Sequence, residues 1–91
     1  MMKYLRLIHV NGNYWNSEPA DYTEEEAKEA QDLLNKAASG TLDSLSFLTM
    51  GGGWWCFPTK QIAALGLVDM TPDELIQYNA TNQKGKNANR N

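Results

Sequence analysis

Ninety-one residues, 42% of them apolar and 21% charged, make one folded domain with little margin, because a chain this short buries only about 60–65% of the surface it exposes when unfolded. The single cysteine, Cys56, excludes an internal disulfide framework and any multi-thiolate zinc site. The net charge of −3 hides an acidic body, with eleven acids against five bases (−6) in residues 1–80, and a basic end where Lys84, Lys86 and Arg90 give +3; an acidic body disfavours direct binding of nucleic-acid phosphates.

The first segment, Lys3 to Val10, alternates. Leu5, Leu7 and His9 point one way, and Tyr4, Arg6, Ile8 and Val10 the other, which predicts a strand. Asn11-Gly12-Asn13 is a hairpin signal, since Asn and Gly tolerate positive φ, and Tyr14-Trp15-Asn16 reads as a short returning strand. The opening residues carry no secretory signal, and no run approaches the ~18 apolar residues that span a bilayer. With a lone thiol, this leads us to expect a soluble cytoplasmic protein with no membrane partner.

After the connection Ser17–Tyr22, Thr23-Glu24-Glu25-Glu26 forms a capping box: Thr23 accepts from the Glu26 N–H, and Glu26 reaches back. Ala27, Ala30, Leu33, Leu34, Ala37 and Ala38 recur at helical spacing and Gly40 supplies a stop, predicting an amphipathic helix over about 24–38. Its alanine-rich face suits close packing on a sheet.

Leu42 to Met50 alternates again, with Leu45, Phe47 and Thr49 opposed to Ser44, Ser46 and Leu48. Gly51-Gly52-Gly53 permits a reversal, Trp54-Trp55-Cys56-Phe57 supplies another strand, and Pro58 ends it. Two readings compete for Thr59 to Asp69, a helical turn or a last strand with Gly66 at a bulge, and we prefer a turn at Pro58–Lys60 followed by a strand. Thr71-Pro72-Asp73-Glu74 is a second capping box and opens a short helix over about 72–79. Residues 80–91, rich in asparagine and basic, are expected to be a disordered tail.

The fold expected is α+β: one small antiparallel sheet of about 4–5 short strands, the main helix on one face, and a single domain over 1–79. In size and style the chain resembles small orphan proteins of bacteriophages and other mobile elements, compact α+β chains with an acidic body and no catalytic motif. That resemblance implies a protein that binds and inhibits a host protein, cytoplasmic in the host.

Adjacent strand residues face opposite sides, so either Trp54 with Cys56 or Trp55 with Phe57 enters the core, and the other pair needs a second surface. The leading expectation is a non-enzymatic, self-associating protein-binding module that uses Trp54, Trp55 and Phe57, with Trp15 and the acidic helix residues Glu24, Glu25 and Glu29 as further contacts. The alternative is a small-ligand or nucleotide binder lined by Trp15, Trp54, Trp55 and Arg6. The glycine run lacks a lysine at P-loop spacing, and nothing in the sequence brings Cys56 to His9 as a nucleophile pair. Glu24, Glu25, Glu26, Glu29 and Asp32 have no calcium-loop spacing. No catalytic residue, metal site or cofactor is therefore expected.

Overall fold

A computed structural model describes the backbone of residues 1–90 and the side chains of residues 1–81. Strand β1 (Met2–His9) is central to a four-stranded antiparallel sheet. One of its edges is shared by two short strands, β2 (Tyr14–Asn16) and β3 (Ala20–Asp21), and the other is paired along its length by β6 (Ile62–Asp69). Helix α1 (Glu24–Ala38) follows β3, and β4 (Ser44–Leu48) and β5 (Trp54–Pro58) form a second, two-stranded sheet. Helix α2 spans Pro72–Arg90.

The alternation in the first segment places its side chains as expected. Leu7 is fully buried, with Leu5 beside it, while Tyr4 and Arg6 face the other side. The reversal after β1 is a loop in which Gly12 takes φ +93°, the left-handed region that glycine enters freely, and the Gly12 N–H donates to the His9 carbonyl at 2.9 Å.

Between β2 and β3 the ladder is interrupted at Ser17, which bridges the gap itself. Its N–H donates to the Leu5 carbonyl and its Oγ accepts from the Leu5 N–H, both at 2.8 Å. Ser17 also pairs with Thr49 as an isolated bridge, flanked by Glu18 N–H to Leu48 carbonyl (2.9 Å) and Met50 N–H to Asn16 carbonyl (2.8 Å). These bonds fasten the β4–β5 hairpin to the main sheet. The expected single sheet is thus two, because β4 meets the first only at this short junction.

Helix α1 has the predicted bounds and capping box, with Thr23 and Glu26 bonded reciprocally at 3.1 Å. It packs on β6, burying Leu34 and Ala37. Leu33, expected on the same face, is 43% exposed, since it lies about 100° around the helix from Leu34. The core gathers Leu7, Leu34, Leu45, Phe47 and Phe57, with Leu5, Trp15, Ile62, Leu65 and Leu67 around them. It sits between the main sheet, α1 and the inner face of the hairpin.

Of the two readings for Thr59–Asp69, the turn and strand hold: a 3-10 turn at Thr59–Gln61 leads into β6. The bulge falls elsewhere than expected. Ile8 pairs with Ala64 and His9 with Ile62, which leaves Ala63 as the extra residue, while Gly66 pairs regularly with Arg6. Helix α2 begins at the predicted box, where Thr71 and Glu74 bond reciprocally at 3.0 and 3.1 Å. It docks on the second face of the main sheet through Tyr4 to Glu74 and through Tyr78 to Glu18. It runs on to Arg90, past the end expected near residue 79 and through most of the stretch expected to be a disordered tail. Among the described residues, no helix is long and apolar enough to cross a membrane.

Candidate functional site

The β4–β5 hairpin pairs Ser44 with Pro58, Leu45 with Phe57, Ser46 with Cys56, Phe47 with Trp55 and Leu48 with Trp54. Partners across an antiparallel pair share a face, so one face carries Leu45, Phe47, Trp55 and Phe57 and the other Ser46, Leu48, Trp54 and Cys56. The first is the core face, where Leu45, Phe47 and Phe57 are 5–6% exposed.

The turn is built by glycines. Gly52 and Gly53 hold φ of +91° and +87°, and the Thr49 hydroxyl donates to both of their carbonyls at 2.9 and 3.2 Å. Thr49 is itself buried, so this end of the hairpin is pinned rather than loose.

That geometry resolves the tryptophan pair. Trp54 points outward and is 73% exposed; Trp55 points to the core side, yet it stands beyond the core's margin and is 53% exposed. Leu48 and Met50, at 37% and 39%, flank them. Cys56 is exposed as well. The result is an apolar tip and outer face, free of charge from Ser44 to Pro58.

Phe57, expected at the contact surface, is a core residue: its ring lies 5.3 Å from that of Phe47 and 5.0 Å from that of Trp15. Trp15 is half-buried on the core side, opposite Leu7, with the His9 ring 6.0 Å away. Arg6 lies on the opposite face of the same sheet. Trp15, Trp54, Trp55 and Arg6 therefore look onto different surfaces and do not line one pocket.

Glu24, Glu25, Glu29 and Asp32 are all exposed on α1. Two ion pairs occur among the described residues, the Met1 ammonium with Asp21 and Lys3 with Asp69, and neither involves α1. The described residues contain no cluster of three or more potential metal ligands. His9 is engaged by Gln61 Oε1 and by the Asn11 N–H, each at 3.1 Å, and no hydrogen bond joins it to Cys56.

Sequence reasoning missed one arrangement on the second face. The Arg6 guanidinium lies 5.6 Å from the Tyr4 ring centre and 5.1 Å from that of Tyr14, and its Nε donates to Asn16 Oδ1 at 2.9 Å. Tyr4, Arg6 and Tyr14 share the outward phase of β1 and β2, which was the available signal. Alongside, a groove of about 300 Å³ under α2 is lined by Glu18, Met50, Met70, Glu74, Gln77 and Tyr78. There the Tyr4 hydroxyl donates to Glu74 at 3.1 Å. Burial, helped by that bond, raises the Tyr4 pKa above its usual value. The Thr71 backbone N–H, helped by the Tyr4 hydroxyl, lowers that of Glu74. These bonds seat α2. Met50 belongs both to this groove and to the hairpin surface.

No family model matches the chain, and no curated protein or solved structure matches it either.

Proposed function

We propose that this protein is a non-enzymatic protein-binding module that meets its partner through the tip and outer face of the β4–β5 hairpin. One observation carries the reading: two adjacent tryptophans, 73% and 53% exposed, stand on a pinned hairpin with Leu48 and Met50 beside them. Exposed tryptophan is costly to leave in water and is enriched where binding energy concentrates. A rigid two-stranded support lowers the ordering entropy lost on contact.

The acidic face of α1, with Glu24, Glu25 and Glu29, offers a second contact suited to a basic surface. Taken with the resemblance to mobile-element orphan proteins, this favours an inhibitor that occludes a basic surface on a host factor, such as a nuclease or an immune effector. An exposed free thiol at Cys56 fits a reducing cytoplasm.

The test is capture of partners from a host lysate by the wild type, Trp54→Ala and Trp55→Ala, each first shown to be folded by circular dichroism. Loss of one captured protein in a folded variant supports the reading. Unchanged capture by both variants overturns it.

A further inference from the structure

Strand β5 is an edge, and its hydrogen-bonding directions can be read from its neighbours. The Thr49 N–H donates to the Gly53 carbonyl and the Thr59 N–H to the Asp43 carbonyl, each at 3.0 Å. In an antiparallel ladder bonding alternates along the strand, so Trp55 and Phe57 bond inward to β4. The N–H and C=O groups of Trp54 and Cys56, and the C=O of Pro58, are directed outward, and no described strand pairs with them. An open, uncharged edge of this kind is a template for another strand.

We propose that the occupant of this edge is a second copy of the chain, with β5 pairing antiparallel to β5 about a twofold axis at Cys56. The result is a continuous β4–β5–β5–β4 sheet. This rests on the reading of the hairpin as a protein-contact surface and adds self-association at its edge.

Three observations select this occupant and register. First, charge: two acidic bodies of −6 each repel, and the run from Ser44 to Pro58 carries no charge, so this edge brings two copies together without opposing like charges. Second, the other edges are disfavoured for the same pairing: on β4 the Leu48 carbonyl already accepts from the Glu18 N–H at 2.9 Å, and β6 is obstructed. It is bulged at Ala63, and it shares a groove with α1, on which Gln31, Leu34 and Asn35 line the wall. Pairing there would bring two helices bearing Glu24, Glu25, Glu29 and Asp32 side by side. Third, length: Cys56 is the middle residue of β5, bounded by Gly53 at φ +87° on one side and the 3-10 turn on the other. A twofold axis at Cys56 is thus the register that pairs the whole strand with itself.

In that register Cys56 bonds reciprocally to its own copy, Trp54 lies across from Pro58, and Trp55 lies across from Phe57. The absent N–H of Pro58 ends the ladder and limits it to one strand pair. Hydrogen-bonded antiparallel partners have Cα atoms about 5.5 Å apart, within the ~4.4–6.8 Å that a disulfide bridges. Cys56 is therefore a reporter of the register.

The experiment uses the full chain and reads mass by sedimentation velocity over a concentration series, with diamide as the crosslinking probe. Diamide takes up the two electrons and two protons released when two Cys56 thiols become one disulfide. We expect a reversible dimer for the wild type and for Cys56→Ser, rapid covalent dimer with diamide for the wild type only, and loss of the dimer in Trp54→Lys with an unchanged circular dichroism spectrum. A monomeric wild type, a dimer that persists in Trp54→Lys, or a dimer that diamide leaves uncrosslinked each overturns the pairing. If the wild type is monomeric while Trp54→Ala still loses a captured partner, the pairing fails and the binding reading stands. If capture is also unchanged, both fail.

Discussion

The indole of Trp15 meets the ring of Phe57 with centroids 5.0 Å apart and planes tilted by 54°, and this contact joins the main sheet to the β4–β5 hairpin across the core. The backbone links between the two sheets are few, so side-chain packing holds the hairpin in place. Phe57→Ala should cost about 3–5 kcal/mol, the transfer and cavity terms together. That is a large share of the roughly 5–15 kcal/mol available to a domain of this kind. Phe57→Leu should cost less, though still about 0.5–1.5 kcal/mol for the aromatic pair alone. Urea unfolding followed by tryptophan fluorescence measures both.

Ser17 is 6% exposed, and its hydroxyl takes the place of a missing ladder partner for Leu5. Ser17→Ala leaves the Leu5 N–H without its acceptor in a place water reaches poorly. A loss of about 1–3 kcal/mol is expected. Faster amide exchange at Leu5 in the variant, with exchange in α1 unchanged, would place the effect at this junction.

Trp54 makes the opposite case. Its side chain is mostly in water, so Trp54→Ala should change stability by about 0.5 kcal/mol or less, measured at protein concentrations where only monomer is present. A large stability loss in the monomer would mean that the indole packs in solution, and it would remove Trp54 from the proposed contact surface.

The seat of α2 should respond to pH at both ends. The folded Glu74 carboxyl has a lowered pKa, chiefly because the Thr71 N–H donates to it. Its contribution is therefore present above the ordinary glutamate range and is lost as pH falls through the depressed folded value. The stability gap between the wild type and Glu74→Gln should shrink on acidification. Tyr4 has a raised pKa, from burial first and the bond to Glu74 second. Its contribution is present below the ordinary tyrosine value and is lost as pH rises through the folded one. Tyr4→Phe should lack that alkaline loss. Denaturation midpoints across pH check both signs.

The strands other than β3, which lies inside the stretch read as a connection, and the caps were legible because each rests on a local rule. The period of two in Leu5–Leu7 and Leu45–Phe47, and the boxes at Thr23 and Thr71, need no tertiary knowledge. The tryptophan problem was legible for the same reason: parity alone requires Trp54 and Trp55 to face apart. What parity could not say is where the core ends, and Trp55 lies past that margin although it points toward the core. Phe57, two residues on, lies inside it. The bulge at Ala63 escaped because it is set by the register between β1 and β6 near His9, a long-range pairing with no local sign. The division into two sheets escaped too, since β4 meets the main sheet only through the bridge between Ser17 and Thr49, thirty-two residues apart.

The uncharged hairpin and the acidic helix differ in one further respect, their response to electrolyte. Contacts made by Glu24, Glu25 and Glu29 are screened over about 8–10 Å at moderate ionic strength and should weaken as sodium chloride is added. Contacts made by Trp54, Trp55, Leu48 and Met50 should hold, and sulfate should strengthen them. A salt series on any bound partner thus reads which of the two surfaces carries the complex before a single residue is changed.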